Sequence, residues 1–216
     1  MCIRDRYCPR IVTPRRDLLC DTAISVLAGE GGRGLTHRAV DRRASVPLGT
    51  TKNYFPTRES LLQAAANRMT DLHVAAVRRL RDTTPAEVTA TDVAELYPAL
   101  LRRTVADPTE LLAMVELYLE AVRRPGVRDA LSRMAVANAD ASAQLHQSAG
   151  LPSTTADAGV LDAYFLGVAM SLLALPPDAL HTVGLDDPYA LGLGLFSAAV
   201  PRHGSGGSGS QATGTS

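Results

Sequence analysis

The stretch LTHRAVDRRASVPLGTTKNYFPTRESLL, which runs from residue 35 to residue 62, decides the fold of this chain. Thr36 is placed to cap a short amphipathic helix, because its hydroxyl can accept a hydrogen bond from a free amide of the first turn. Residues 45–47, with the sequence SVP, then predict a turn, and a second helix is expected over residues 48–55 until Pro56 ends it. Two short helices joined by a tight turn form a helix-turn-helix motif.

Helical patterns flank this motif on both sides. On the N-terminal side, Thr13 and Pro14 provide a cap and a first helical residue, and apolar residues recur at helical spacing until the glycines within residues 29–32 stop the helix. On the C-terminal side, Thr57 caps a long helix that carries one apolar stripe and is predicted to extend to Arg81. The motif therefore lies inside an N-terminal module of three helices that leads into a fourth.

The remainder of the chain is predicted to be helical as well. Proline and glycine separate five further helices, which are expected over residues 91–105, 109–123, 126–148, 155–175 and 188–200. Hydrophobic residues make up 46% of the chain and tryptophan is absent, a composition that favours helices over a sheet. We therefore expect an all-α fold of about nine helices.

The two halves of the chain carry opposite charge, although the net charge is zero. Residues 1–81 contain 15 Lys and Arg against 7 Asp and Glu, and residues 82–216 contain 7 against 15. This division indicates that one half binds a polyanion and the other stays away from it. The alternative is that both halves simply carry the solvated charges of an ordinary protein.

Cysteine spacing and hydropathy narrow the class of protein. Cys2, Cys8 and Cys20 form no CxxC pair and the histidines have no paired ligand spacing, so neither a disulfide framework nor a metal site is predicted. No apolar signal region opens the chain, and the apolar stretch 160–175 is short and contains Asp162, so no membrane span is expected. These features favour a cytoplasmic protein without a cofactor.

The chemistry of the motif suits contact with a nucleic-acid duplex. Free amides and the Arg38 side chain at the start of the first short helix favour phosphate, and Lys52, the only lysine of the chain, is expected to read a base edge. Capping alone explains Thr36 equally well, a core position explains Tyr54, and solvation explains Lys52. The predicted DNA-binding residues are Thr36, His37, Arg38, Pro47, Leu48, Gly49, Thr50, Lys52, Asn53, Tyr54 and Arg58.

Residues 35–62 resemble the DNA-binding domain of the tetracycline-repressor (TetR) family almost position by position, and the resemblance extends from Pro14 to Ala66. The order of the later helices is similar to that of the family's regulatory domain. The resemblance implies a bacterial homodimeric transcriptional repressor that binds double-stranded operator DNA and releases it when an unknown small-molecule effector binds. Asp41 and Ser45 depart from the family pattern, which often has Ala and Gly there, and leave the angle between the two helices open.

This interpretation gives the chain two domains and two terminal segments. The DNA-binding domain with its connecting helix is expected over residues 13–81, and the regulatory ligand-binding and dimerisation domain over 82–203. A disordered arm is expected over residues 1–12, where the opening MCIRDR reads as non-native, and a disordered Gly/Ser tail over 204–216.

The regulatory domain has two sets of candidate residues. Its last two helices are more apolar than a small monomer can cover, which predicts a four-helix bundle across a two-fold axis or a core buried within one chain. The predicted dimer-interface residues are Leu161, Tyr164, Phe165, Val168, Leu172, Leu191 and Leu195. Candidates for an apolar effector pocket, or for plain core, are Tyr97, Met114, Tyr118, Met134 and Asn138.

Two other classes of protein remain open. An enzyme lacks the expected motifs, and Glu116 and Glu120, which are available for acid–base chemistry, are four residues apart and are predicted to form the solvated side of a helix. The other alternative is a helical ligand carrier or scaffold that keeps the fold without reading DNA.

Overall fold

The computed structural model describes residues 15–83 and 89–200. These residues form helices and no strand, which confirms the all-α class. The helices are α1 (Arg15–Gly34), α2 (His37–Arg43), α3 (Thr50–Tyr54), α4 (Arg58–Thr83), α5 (Ala90–Ala106), α6 (Thr109–Arg123), α7 (Pro125–Ser148), α8 (Thr155–Ala174), α9 (Pro177–Thr182) and α10 (Pro188–Ala199). The predicted arm, the predicted cap at Thr13 and Pro14 and the predicted tail lie outside the described residues.

Helix α9 is the element that the sequence does not predict. The consecutive prolines at 176 and 177 indicate a joint between helices, but a proline is also compatible with the first position of a helix, where its missing amide has no partner to lose. Pro177 occupies that position, and the amide of Leu180 donates to the carbonyl of Pro176 at 3.0 Å.

The described residues pack as two compact units. The first unit comprises residues 15–72 and 107–134, and the second comprises 73–83, 89–106 and 135–200. The first unit therefore includes α6 and the start of α7, which come long after the predicted boundary at residues 81 and 82. The assignment of DNA binding to 13–81 and of regulation to 82–203 stays a prediction.

The core of the first unit brings α1 against α6. Leu19 and Leu27 of α1 are fully buried, as their helical spacing predicts, and they share one cluster with Leu117 of α6. The predicted glycine stop of the first helix is a kink, because the backbone leaves helical geometry at Gly31 (φ 68°, ψ 179°) and α1 then continues to Gly34. Only glycine adopts that conformation without steric cost.

In the second unit α10 packs against α5 and α8 around an aromatic core. The rings of Tyr97 in α5 and Phe196 in α10 are 5.4 Å apart between centroids. Gly192 of α10 lies so close to α5 that an added Cβ would be 2.5 Å from the backbone nitrogen of Pro98. Because glycine has no side chain, the two helices approach here at backbone distance.

Helix α8 is apolar along most of its 20 residues, but only 17% of its most apolar window is buried in the chain. It is the one described helix long and apolar enough to cross a membrane, so the expectation that this stretch is too short is wrong on length. Burial raises the pKa of Asp162 within it to about 6. Large exposed apolar surfaces of this kind are commonly covered by another protein.

Candidate nucleic-acid interface

The start of α2 has the cap that the sequence predicts. The Thr36 hydroxyl accepts a hydrogen bond from the amide of Ala39 at 3.1 Å, and Thr36 itself has extended backbone. Val40, on the inner face of α2, is fully buried. The capping role of Thr36 is therefore confirmed, and its contact with phosphate stays a prediction.

The turn between α2 and α3 uses two left-handed residues. Ser45 has φ 54° and is the only residue other than glycine with positive φ in the described ranges, which fits a position where the TetR family often has Gly. Gly49 has φ 91° and forms the N-cap of α3. The predicted helix start at Leu48 is wrong by two residues, because the left-handed backbone at Gly49 postpones the first helical residue to Thr50.

Asp41, the second departure from the family pattern, lies under α3. Its side chain is fully buried, and its carboxylate accepts hydrogen bonds from the Gly49 amide at 2.7 Å, from the Thr51 amide at 2.8 Å and from the Thr51 hydroxyl at 2.5 Å. Burial raises the pKa of Asp41, but the hydrogen bonds from Thr51 and Gly49 outweigh that effect and keep the pKa below its ordinary value. The carboxylate is thus an ionised anchor for the start of α3.

The outer surface of α2, the turn and α3 carries most of the predicted DNA-binding residues. Leu48 is 72% exposed and Tyr54 45% exposed, so Tyr54 is not a core residue, whereas Phe55 is buried. Thr50 is half-buried. The other exposed members of the predicted set are Thr36, Arg38, Pro47, Gly49, Lys52 and Asn53. Nine of the eleven candidates therefore lie on this surface, eight of them exposed and Thr50 at its edge.

His37 and Arg58 are the two exceptions, because their side chains are engaged inside the unit. The Nε2 atom of His37 donates to the carbonyl of Phe55 at 2.6 Å. The guanidinium of Arg58 donates to the carbonyls of Gly32 and Leu35, and it pairs with Glu120 at 2.7 Å. This geometry gives both residues a role in holding the helices together, and a phosphate contact by either stays a prediction.

Two carboxylates of α6 hold the end of α1. Glu116 accepts a hydrogen bond from the amide of Gly32 at 2.7 Å, and Glu120 pairs with both Arg58 and Arg124, each at 2.7 Å. Burial raises the pKa of Glu120, but the hydrogen bonds from Arg124 and Arg58 outweigh it and lower the pKa. The expectation that these two residues form a solvated helix side is wrong, since Glu116 bonds to α1 and Glu120, whose side chain is only 14% exposed, pairs with Arg58 of α4 as well as with its neighbour Arg124.

The five candidates for an effector pocket do not form one group. Met114, Tyr118 and Met134 belong to the first unit, where Met134 is in the core, and Tyr97 and Asn138 belong to the second. The Tyr97 hydroxyl lies 2.7 Å from Nε2 of His146, whose pKa burial lowers to about 4. Their role in ligand binding stays a prediction.

The second unit contains a cleft that the sequence analysis does not identify. Its volume is about 210 Å³, and its walls come from α4 and α7. Two buried polar atoms on the same helices, Nε2 of His73 and Oδ1 of Asn138, have no hydrogen-bond partner among the described residues. Asn138 is one of the sequence candidates for an effector pocket, whereas the sequence gives His73 no such role. The cleft is lined by Val74, Val77, Arg78, Ala141, Gln144 and Leu145, among others.

The predicted dimer-interface residues divide into one buried residue and six others. Leu161 is fully buried in the core of the second unit, so its assignment to an interface is wrong. Tyr164 is 48% exposed, and a Cβ added at Gly167 would meet nothing within 4 Å. The half-buried members are Phe165, Val168, Leu172, Leu191 and Leu195.

Comparisons with known proteins extend the likeness beyond the helix-turn-helix. The family model of the tetracyclin repressor-like C-terminal domain matches residues 88–190. No curated protein matches the chain. Among solved structures, the multidrug-binding protein EbrR in complex with ethidium has 26% sequence identity and a TM-score of 0.63, and the match covers 88% of this chain and all of EbrR.

Two further structures have the same fold. SCO1917 from Streptomyces coelicolor A3, a TetR-family member, has 25% identity and a TM-score of 0.59 over 88% of this chain and all of its own. A transcriptional regulator from Rhodococcus sp. Rha1 has 19% identity and a TM-score of 0.65 over 87% of this chain and 98% of its own. With the helix-turn-helix geometry, these matches show that residues 88–190 resemble a tetracyclin repressor-like C-terminal domain and that the chain has the fold of TetR-family regulators.

Proposed function

We propose that this chain is a homodimeric repressor of transcription in the bacterial cytoplasm, which binds operator DNA through α3 and releases it when a small effector binds. The observation that carries the proposal is the exposed surface of α3 and the preceding turn, supported from below by the buried Asp41 carboxylate. This surface belongs to the half of the sequence with 15 basic against 7 acidic residues. An exposed short helix in a basic module suits the major groove of a duplex. The proposed role needs no catalysis.

The proposal includes a dimer, because one α3 contacts too few base pairs for a specific site. Two reading helices set about 34–36 Å apart match successive major grooves on one face of the duplex. The uncovered apolar face of α8, with Tyr164 exposed and Gly167 open, supports a helix bundle across a two-fold axis.

The effector part of the proposal rests on the cleft between α4 and α7. Asn138 Oδ1 and His73 Nε2 lie on the same two helices but not among the residues that line the cleft. A buried polar atom without a partner costs roughly 1–3 kcal/mol, and a ligand that enters deeply enough between the helices to bond to both atoms removes that cost. The cleft is lined by apolar Val77 and Leu145 together with polar Asp140 and Gln144, which favours a compact ligand with both apolar and polar groups. EbrR, a structural relative, is complexed with ethidium, and we propose ethidium as the first ligand to test on this chain.

The DNA-binding proposal predicts strong, salt-dependent association with duplex DNA. In a fluorescence-anisotropy titration against a random duplex, we expect affinity to fall roughly 1,000-fold between ~50 and ~200 mM salt, because released counterions drive the binding.

Lys52→Ala is expected to cost about 1–3 kcal/mol of binding free energy at a site selected from a random library and less on random DNA.

Arg38→Ala is the matched control for Lys52→Ala. Arg38 is also an exposed cation, but it stands on α2, so its loss is expected to weaken all duplexes about equally and to reduce the salt slope by about one unit. Absent or salt-independent binding by the unaltered protein contradicts a regulator and favours the carrier or the enzyme.

The effector proposal predicts that the protein binds ethidium in the absence of DNA. Asn138→Leu is expected to raise the melting temperature of the free protein, because it removes the unpartnered oxygen, and to weaken ethidium binding at least ~5-fold. Isothermal titration with ethidium and thermal melts of both proteins check this. Equal ethidium affinity of the two proteins contradicts a contact between the ligand and Asn138.

A further inference from the structure

The inference concerns how α3 is held, and it starts from the weakness of that helix on its own. Helix α3 has five residues, and its N-cap Gly49 has no side chain to accept a bond from the first amides. A helix this short is unstable in isolation, because nucleation costs more than a few hydrogen bonds return. Something outside α3 must therefore fix its position.

Asp41 of α2 supplies that fixation with both carboxylate oxygens. Oδ2 accepts from the Gly49 amide at 2.7 Å, while Oδ1 accepts from the Thr51 amide at 2.8 Å and from the Thr51 hydroxyl. Because one oxygen bonds to Gly49 and the other to Thr51, the carboxylate restricts both the distance of α3 from α2 and the rotation of α3 about its own axis.

The rotation of α3 determines which side chains face outward. Thr51 is fully buried against Asp41, and each helical residue is turned by about 100° from the one before it. Lys52 and Asn53 are exposed as a result, and Thr50 is half-buried at the edge. A small rotation of α3 moves these side chains relative to any base edge they contact.

We propose that Asp41 is the positioning residue of the reading helix, whose carboxylate sets the orientation of α3 and so the sequence specificity of the protein. This proposal rests on the proposed function, since it presupposes that α3 reads DNA. Phosphate contacts supply affinity for any sequence, while base contacts supply discrimination. Loss of the anchor therefore reduces binding to the preferred sequence more than binding to random DNA.

The test compares a site selected from a random duplex library by the unaltered protein with random duplex at one salt concentration. Asp41→Asn keeps the shape but turns an amide group toward the donors of α3, and we expect its affinity for the selected site to fall at least ~10-fold while random affinity changes less than ~3-fold. Thr51→Val removes only the hydroxyl donor and is expected to give a smaller loss in the same direction.

Thr22→Val is the matched control. Thr22 is also a buried threonine of the first unit, but its hydroxyl donates to the carbonyl of Leu18 within α1. This variant is expected to keep the ratio of selected to random affinity even where its melting temperature falls as much as that of Thr51→Val.

Each outcome has a distinct meaning. An unchanged affinity ratio in Asp41→Asn and Thr51→Val, or an equal drop in Thr22→Val, overturns the positioning role. Should Asp41→Asn fail to fold, Thr51→Val still decides the matter. Failure of the unaltered protein to bind any duplex overturns the proposed function itself.

Discussion

Replacement of Gly192 by Ala is expected to destabilise the second unit by about 3 kcal/mol. The added methyl carbon would lie 2.5 Å from the nitrogen and 2.6 Å from the Cα of Pro98, and backbone atoms cannot turn aside as a flexible side chain can. Helices α10 and α5 must therefore separate, which loosens the packing of Phe196 against Tyr97. Thermal melts should show a decrease of roughly 10 °C.

Gly194→Ala is the control for this prediction, two residues away on the same helix. A Cβ at Gly194 meets nothing within 4 Å, so the substitution adds only helix propensity and is expected to raise stability by about 0.5–1 kcal/mol. Equal effects of the two variants contradict the close approach of α10 and α5.

Replacement of Gly167 by Glu is expected to leave each chain folded and to separate the proposed dimer. The chain leaves open space around this position, so the new side chain meets no steric barrier in the monomer. In a helix bundle the same carboxylate is buried against apolar α8 of the partner, and an unpaired buried charge costs several kcal/mol. We expect dimer dissociation to increase by a factor of more than about 100, measured by analytical ultracentrifugation.

DNA binding follows the dimer in this prediction. A monomer presents one reading helix, so the affinity of Gly167→Glu for a selected DNA site is expected to fall as the dimer dissociates. The helical circular dichroism signal is expected to be retained. Ala156→Glu adds the same charge to the exposed first turn of α8, where a helix dipole favours it, and is expected to change neither property. A Gly167→Glu protein that remains dimeric places the interface elsewhere.

Local signals account for the parts of the fold that the sequence predicts well. Thr36 caps α2 through an amide three residues away, and Leu19 and Leu27 repeat at helical spacing, so neighbouring residues contain the necessary information. The left-handed turn at Ser45 is likewise a property of a four-residue segment. These features needed no knowledge of distant contacts.

Long-range contacts explain what the sequence does not predict. Glu116 reads as a solvated residue because its partner, the amide of Gly32, is 84 residues away. Arg58 reads as a phosphate ligand for the same reason, since Glu120 and two carbonyls of earlier residues engage it. The sequence gives no reason for an acidic residue at Asp41, because the amides of Gly49 and Thr51 that bond to it are brought there by the turn before α3.

The discontinuous make-up of the first unit has a consequence for protein engineering. Residues 107–134 fall inside the span matched by the C-terminal family model, yet they pack with residues 15–72. A chimera that joins this chain's first 83 residues to a foreign C-terminal domain lacks Glu116, Glu120 and Leu117, so α1 loses the residues of α6 that contact it. Exchanges of the C-terminal domain in this fold therefore need to keep α6 and the first turns of α7 with the first unit, whose core they complete.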